Sequence, residues 1–350
     1  MEDGRKATLK DVAQLAGVST VTVSNVLNHR QNVSLRTRQR VMKAVEETGY
    51  RVNLIARGLA GGRTNTLGVV VPDLGTQYVG EIVRGLGDEI RHAGLEMLIS
   101  TASDDIKERS QMDLLQEISD GLVLVLAHNN DYDVSVFSRD GLPVVMIDHR
   151  GSTIPLPAVD VDNYYGGRQA TEYLIALGHQ RIGFVKGRYE ASSLRFKGYK
   201  EALECAKLPF EESLVAEGEF TQPGGFAAAN ELLNLKDLPS AIFAANDLSA
   251  FGVMEAIKEK GLRIPDDISV LGFDDIPMAN QVFPALSTIR QPLFEMGQAA
   301  ARMMLAKLRG VEPPSNRITL ATELVERAST RAWRNRSDSK EGGDYKQDWS

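Results

Sequence analysis

Apolar residues first recur at a helical period. Leu9, Val12, Ala13 and Ala16 stand at i, i+3, i+4 and i+7, one face of a short helix with Thr8 as its N-cap. Gly17 supplies the backbone angles of a tight turn. Ser19 then caps a second helix whose inward face is Val23, Val26 and Leu27. A third runs from Ser34 to about Thr48, burying Val41, Ala44 and Val45 and ending at Gly49. Three short helices with a glycine turn between the first two predict a helix-turn-helix. From Leu67 the pattern changes to short β-branched runs separated by helical stretches. Strands are predicted at "LGVVV" from Leu67, "LEMLIS" from Leu95, "GLVLVL" from Gly121, "PVVMID" from Pro143, "RIGFV" from Arg181, "AIFAA" from Ala241 and "ISVLG" from Ile268. Helices are predicted at 79–93, 106–118, 163–177, 195–207, 225–235, 247–260 and 293–308. The alternation calls for parallel sheets covered by helices, and the length fits two doubly wound subdomains. Ligands of such sheets bind at the C-terminal strand ends.

Between these regions lies "NLIARGLAG", residues 53–61, one short helix capped by Asn53 and stopped by Gly61 and Gly62. About eight residues falls short of the roughly 12–15 at which an isolated helix holds in water. Gly58 weakens it by about 1 kcal/mol against alanine. Such a segment folds only when something packs on it. As a plain linker, "AGGRTNT" would serve equally well.

Charge changes the picture. Residues 1–63 hold eleven Lys/Arg against five Asp/Glu, a net of +6, while the remainder holds 29 against 42, a net of −13. A basic module on an acidic body points to a polyanion partner for the module alone. No apolar run reaches the roughly 18 residues that span a bilayer, and the polar start carries no signal core, so a cytoplasmic protein with no membrane partner is expected. Cys205 is the only cysteine and reads as a small buried hydrophobe on a helix. His29, His92, His128, His149 and His179 form no ligand spacing, and no metal or cofactor is expected.

Candidate chemistry follows from these elements. The second helix turns Thr20, Val21, Ser24, Asn25 and Asn28 outward, all short and uncharged. Hydroxyls and amides of this kind read base edges in a major groove, and methyl groups meet thymine. Arg30, Arg36, Arg38 and Arg40 flank them and suit phosphates. An ordinary small-domain surface has the same composition. In the body, Asp148, Asn246, Asp247 and Asp274 lie just past predicted strands, and Arg195 is expected to open a helix. Singly each reads as a cap or turn. Converging on a cleft, they would bind a polyhydroxylated ligand through paired hydrogen bonds.

The stretches "ATLKDVAQLAGVSTVTVSNVLN", "VSLRTRQRVMKAVEETGYRVNLIARGLAGGRTNTLGVVVPDL", "ALGHQRIGFVKG", "AANDLSAFGVMEAIKEKGLRIPDDISVLGFDD" and "LSTIRQP" closely resemble the lactose-repressor (LacI/GalR) family of bacterial transcription regulators. The resemblance runs to about Ala332. It implies a repressor whose operator affinity a small effector controls, commonly a sugar or sugar derivative, sometimes a nucleobase. In that family the positions of Thr20, Val21 and Asn25 choose the operator. Those of Leu9, Ser19, Thr22, Ser24, Asn28, Asn32, Ser34, Thr37, Tyr50 and Asn53 place the module on DNA. Val21 and Asn25 depart from the lactose repressor itself, so its operator does not carry over. Two hinge helices would pair at the operator centre and wedge a leucine, here Leu59, into the minor groove.

For the effector, Arg195, Asn246 and Asp274 match contacting positions well and Asp148 less closely. Phe220 falls where an aromatic packs on the effector, and Tyr78 is a further aromatic candidate. The resemblance also implies a periplasmic-binding-protein-like core, a homodimer and a pseudo-palindromic operator. The domain organisation it implies is a DNA-binding domain (1–52), a hinge (53–63) and a core (64–332). Within the core, subdomain 1 holds 64–162 and 292–321, and subdomain 2 holds 163–291 and 322–332. A disordered tail, 333–350, has no heptad for tetramers. His179 recurs there as a scaffold residue. A sugar-binding transport protein shares the body's fold but would have a signal peptide and no basic head. An α/β enzyme would need a residue pair built for turnover, and none is evident, so no catalysis is expected.

Overall fold

The computed structural model describes residues 7–27, 33–50, 63–102, 104–126, 141–149 and 156–333, in two compact units divided near residue 64. The first unit holds α1 (Leu9–Ala16), α2 (Thr20–Leu27) and α3 (Leu35–Thr48). The backbone N–H and the hydroxyl of Thr8 both donate to Asp11 Oδ2 at 2.7 Å, so α1 starts on a satisfied cap. It ends because Gly17 takes φ +61°, a left-handed conformation that turns the chain into α2. The amides of Thr22 and Thr37 donate to Ser19 Oγ and Ser34 Oγ, so the expected serines do start α2 and α3. Val12, Ala13, Ala16, Val23, Val26, Val41 and Ala44 form the core, with Leu27 and Val45 partly buried beside them. Asn28, Asn32 and the hinge, with Asn53, Gly58 and Leu59, lie outside the described residues.

The second unit contains β1 (Thr66–Val71), α4 (Gln77–His92), β2 (Glu96–Thr101), α5 (Asp105–Gln116), β3 (Gly121–Val125), β4 (Val144–Ile147) and β5 (Ala158–Val161). Then follow α6 (Asn163–Ala176), β6 (Ile182–Lys186), α7 (Tyr189–Cys205), β7 (Val215–Glu217), α8 (Gln222–Leu233), β8 (Ala241–Ala244), α9 (Asp247–Glu259) and β9 (Ser269–Asp274). The chain closes with β10 (Ser287–Arg290), α10 (Leu293–Leu308), β11 (Arg317–Leu320) and β12 (Glu323–Val325).

Two six-stranded sheets result, ordered β11-β5-β4-β3-β1-β2 and β12-β10-β9-β8-β6-β7. Their pairings are parallel except at the β10–β12 edge, which is antiparallel. Strands β1, β3, β4, β5, β8 and β9 are buried along their whole length, which is why β3, β4 and β8 are apolar on both faces rather than alternating. The chain passes between sheets three times: after β5 into α6, after β10 into α10, and from β11 to β12.

Sequence periodicity missed β5, β7, β10, β11 and β12. Each is three or four residues long and carries polar side chains, too little for a period to register. Arg195 does not open its helix: α7 begins six residues earlier, at Tyr189. "RYEASS" reads as a loop, but Ser192 Oγ accepts the Gly187 amide at 2.7 Å and so secures the strand-to-helix turn from inside the helix. Cys205 is exposed, not buried, because it falls on the outer side of the last turn of α7. Trp333, first residue of the expected tail, still donates its N–H to Leu177 O at 2.7 Å.

Helices α6 and α7 approach closely enough that a Cβ on Gly167 would lie 2.3 Å from Arg195 O, and one on Gly198 2.3 Å from Tyr164 O. This contact sets the depth at which Arg195 stands. Among the described residues no helix is long and apolar enough to cross a membrane.

Candidate functional site

On the first unit, the buried Val23 and Val26 fix which way α2 faces. Thr20, Thr22, Ser24 and Asn25 are half-buried around an exposed Val21, an apolar side chain with no core to join. The Ser19 and Thr22 hydroxyls bond each other at 2.9 Å, as do those of Ser34 and Thr37. Leu9 and Tyr50 pack against the core from its margin. Two of the flanking arginines have protein partners: Arg38 Nη1 donates to Val26 O and Arg40 Nη2 to Gly17 O, both at 3.4 Å. Arg36 is exposed, and Arg30 lies outside the described residues.

On the second unit, the C-terminal strand ends of both sheets face one cavity of about 590 Å³. Tyr78, Asp148, Arg195, Phe220, Asn246 and Asp274 all line it. Six of the nine non-glycine residues with positive φ among the described residues also line it, namely Leu126, Asp148, Tyr189, Glu219, Phe220 and Asp274. Strained backbone of this kind costs about 1–3 kcal/mol per residue and persists where the surroundings impose it, typically at ligand clamps.

Arg195 is held from three sides. Its Nε donates to Asn163 Oδ1 at 2.8 Å, its Nη1 donates to Ala245 O, and its guanidinium lies 3.7 Å from the centre of the Phe273 ring. Asp274 Oδ1 stands 3.7 Å from Nη1 and accepts from Gln291 Nε2 at 2.7 Å. Burial pushes the Asp274 carboxyl up to about 7, against the opposing pull of Arg195 and the Gln291 hydrogen bond, with Asp148 adding to the rise. Tyr78 Oη donates to Asp148 Oδ2 at 2.7 Å. Burial, then the Asp148 and Asp274 charges, hold that phenol well above its ordinary range, so it remains a donor.

Asn246 is both cap and wall. Its Oδ1 accepts the Ser249 amide at 2.9 Å, starting α9, and its Nδ2 donates to Phe220 O at 3.2 Å. The Phe220 ring lies over Gly187, where a Cβ would come within 2.2 Å of it. Asp247, next along, does not line the cavity. Its carboxyl accepts from Thr288 Oγ1 at 2.6 Å and the Ile276 amide at 2.9 Å, and burial holds it well above the carboxylate range. It ties α9 to β10.

Sequence reasoning missed Asp73, Gln77, Arg188, Tyr189 and Glu219 among the lining residues. Asp73 carried a usable signal, two residues past β1. Glu219 followed a strand too short to detect. Gln77 Oε1 accepts the Met278 amide at 2.8 Å, linking the two halves of the unit across the cavity mouth. Asn163 and Gln291, which orient Arg195 and Asp274, sit where the chain leaves β5 and β10, and no local pattern marks them. His179 is buried away from the cavity, bonded through Nδ1 to Ser240 Oγ and donating from Nε2 to Arg331 O. Among the described residues no cluster suits a metal ion.

Residues 8–53 match the model for bacterial regulatory proteins of the lacI family, and residues 171–330 match a periplasmic binding protein-like domain. The HTH-type transcriptional regulator DegA of Bacillus subtilis (strain 168) is 35% identical over 332 residues, 93% of this chain and 98% of that protein. The HTH-type transcriptional regulator CelR of Thermobifida fusca is 35% identical over 94% of this chain and all of its own. A solved complex of the transcriptional regulator CelR with cellobiose covers 93% of this chain and 100% of its own at a TM-score of 0.70 and 35% identity. A lac repressor dimer bound to operator and the anti-inducer ONPF covers 94% of this chain and 100% of its own at a TM-score of 0.81 and 30% identity. A head built as a helix-turn-helix, a two-sheet core around one cavity, and these relatives matched over nearly their whole length lead to one conclusion: the chain belongs to the lacI family of bacterial regulatory proteins.

Proposed function

We propose that this protein is a transcriptional repressor that binds a pseudo-palindromic operator as a homodimer and is controlled by a sugar or sugar derivative in the core cavity. The observation that carries this reading is the pairing, in one chain, of an outward helix of small polar side chains with a cavity that converges a guanidinium, two carboxyls, an amide and aromatic rings. Thr20, Val21 and Asn25 read bases. Leu9, Ser19, Thr22, Ser24, Ser34, Thr37 and Tyr50 hold the module on the backbone, with Asn28, Asn32, Asn53 and Leu59 completing the contact. Tyr78, Asp148, Arg195, Asn246 and Asp274 hydrogen-bond the effector while Phe220 packs on its ring.

The relative whose complex contains cellobiose, and a lacI-family regulator with bound ribose from Enterococcus faecium, support a sugar. The volume equals that of roughly twenty liquid waters, which leaves room beyond a single ring. The open edge of the first sheet, where the outermost strand β2 exposes Ile99, we assign to the second copy. The proposed organisation is a DNA-binding domain (1–52), a hinge (53–63) and a two-subdomain core (64–332), with no turnover of the ligand. Selection of binding sites from random duplexes, followed by a thermal-shift screen of sugars, tests the reading. A two-fold motif and a sugar that alters operator affinity are expected. Recovery of no motif by the pure full-length protein would overturn it.

A further inference from the structure

The cavity's chemistry narrows the ligand further, resting on the effector reading above. Four carboxyl groups line it, from Asp73, Asp148, Glu219 and Asp274, against two guanidiniums among the described residues. Each guanidinium already faces a carboxyl: Arg188 Nη2 is 2.7 Å from Glu219 Oε2 at the rim, and Arg195 faces Asp274 at depth. Arg195 also spends Nε on Asn163 and Nη1 on a carbonyl.

Backbone amides would be the other means of holding an anion, since helix N-termini are natural phosphate sites. Four helices begin at this cavity; side chains of the protein occupy the starts of α8 and α9 and the loop amides just ahead of α4 and α7. Asp73 Oδ1 accepts the Gly75 and Thr76 amides ahead of α4, at 2.8 and 3.0 Å. Ser192 Oγ takes the Gly187 amide ahead of α7. Thr221 Oγ1 accepts the Gly224 amide at the start of α8, at 3.1 Å, and Asn246 caps α9.

The walls are therefore rich in acceptors, and both guanidiniums among the described residues already face carboxyls. A ligand must bring hydrogen-bond donors, which hydroxyls do. An ionised phosphate offers mainly acceptors and adds charge of the wall's own sign. We propose that the cavity selects by charge, taking an uncharged, hydroxyl-rich sugar and rejecting the same sugar once it carries a phosphate or carboxylate.

The test uses the full-length protein and inorganic phosphate as probe, at fixed ionic strength and pH 7.5. Phosphate is expected to leave the melting temperature where chloride leaves it. Glu219→Gln, which releases Arg188, should gain phosphate binding by at least tenfold. Wild-type protein that binds phosphate, and loses that binding in Arg195→Gln, would overturn the proposal, as would a Glu219→Gln variant that gains nothing. Cellobiose and its 6′-phosphate form the second arm, with the neutral form expected to bind at least tenfold more tightly. Equal or tighter binding of the phosphorylated form contradicts charge selection. If neither disaccharide binds and phosphate behaves as expected, the sugar reading loses support while the exclusion of anions stands.

Discussion

The head and the core solve recognition in opposite ways. The head's core is made of valines and alanines, and its specific side chains stand outside, on a surface whose charge is positive. The core unit buries Phe184, Phe243, Phe273 and Tyr199, and its specific side chains stand inside, on strained backbone and among carboxyls. A polyanion is met at a surface, where salt screens the attraction. A small ligand is met in a cavity walled by buried polar groups, where each unsatisfied group is costly. Mutations should therefore act on affinity in the head and on both stability and affinity in the core.

The largest expected effect comes from separating the two. Deleting residues 1–63 should remove essentially all operator affinity while the remaining unit folds, measured by fluorescence anisotropy and thermal unfolding. Retained operator-specific binding would break the comparison. Next is Arg195→Ala. The residue is 3% exposed, so its loss strands Asp274 and should destabilise by about 3–5 kcal/mol where that carboxyl is ionised. Because Asp274 titrates near 7, the penalty should be smaller at pH 6 than at pH 8 in thermal melts. Equal losses at both pH values would contradict the buried pair.

On the head, Val21→Ala or Asn25→Ala should weaken operator binding by about 1–3 kcal/mol and relax preference at one or two base pairs per half-site, with the melting temperature little changed. Site selection that returns an unchanged motif would count against α2 as the reading helix.

The smallest effect is a slope. Burial depresses the His179 imidazole to about 4, so it contributes stability above pH 6.5 that is lost as pH falls toward 4. Asp274, raised to about 7, contributes stability that is fully present below pH 3.8 and lost as pH rises through 7. Between pH 4 and 6.5 the two oppose, each by at most about 1.4 kcal/mol per pH unit. His179→Gln should remove the first and leave stability falling with pH, read from urea midpoints. An unchanged profile would show that His179 does not stay neutral in the fold.

How much of this was legible in the sequence depends on the length scale of each feature. The head was legible almost residue by residue, because caps, glycine turn and apolar period are all local: Thr8, Gly17, Ser19 and Ser34 act where their neighbours predict. Strands β1, β3, β4, β6, β8 and β9 were legible because burial on both faces makes them largely apolar, whereas the inner strands β5 and β10 are short and partly polar and were not. The start of α7 was not, since Ser192 looks like a loop residue until the Gly187 amide it binds is known. Asn163 and Gln291 were invisible for a different reason. Their roles arise where two sheets exchange the chain, and each meets its partner across 32 and 17 residues respectively. The six cavity residues were found from positions past strands and from the family resemblance together. Position past a strand alone left Asn246 as a helix cap, which it also is, and the resemblance supplied the effector role.

Effector control of operator binding requires that the ligand bind two arrangements of the core with different affinity. Operator affinity should be measured for wild type and Arg195→Ala with and without the first neutral sugar that raises the wild-type melting temperature, at pH 6, where the variant is least destabilised. The account predicts a sugar-dependent change in wild type and none in the variant, with ligand-free operator affinity alike in both. A variant that keeps the wild-type ratio of the two affinities across the titration would contradict it.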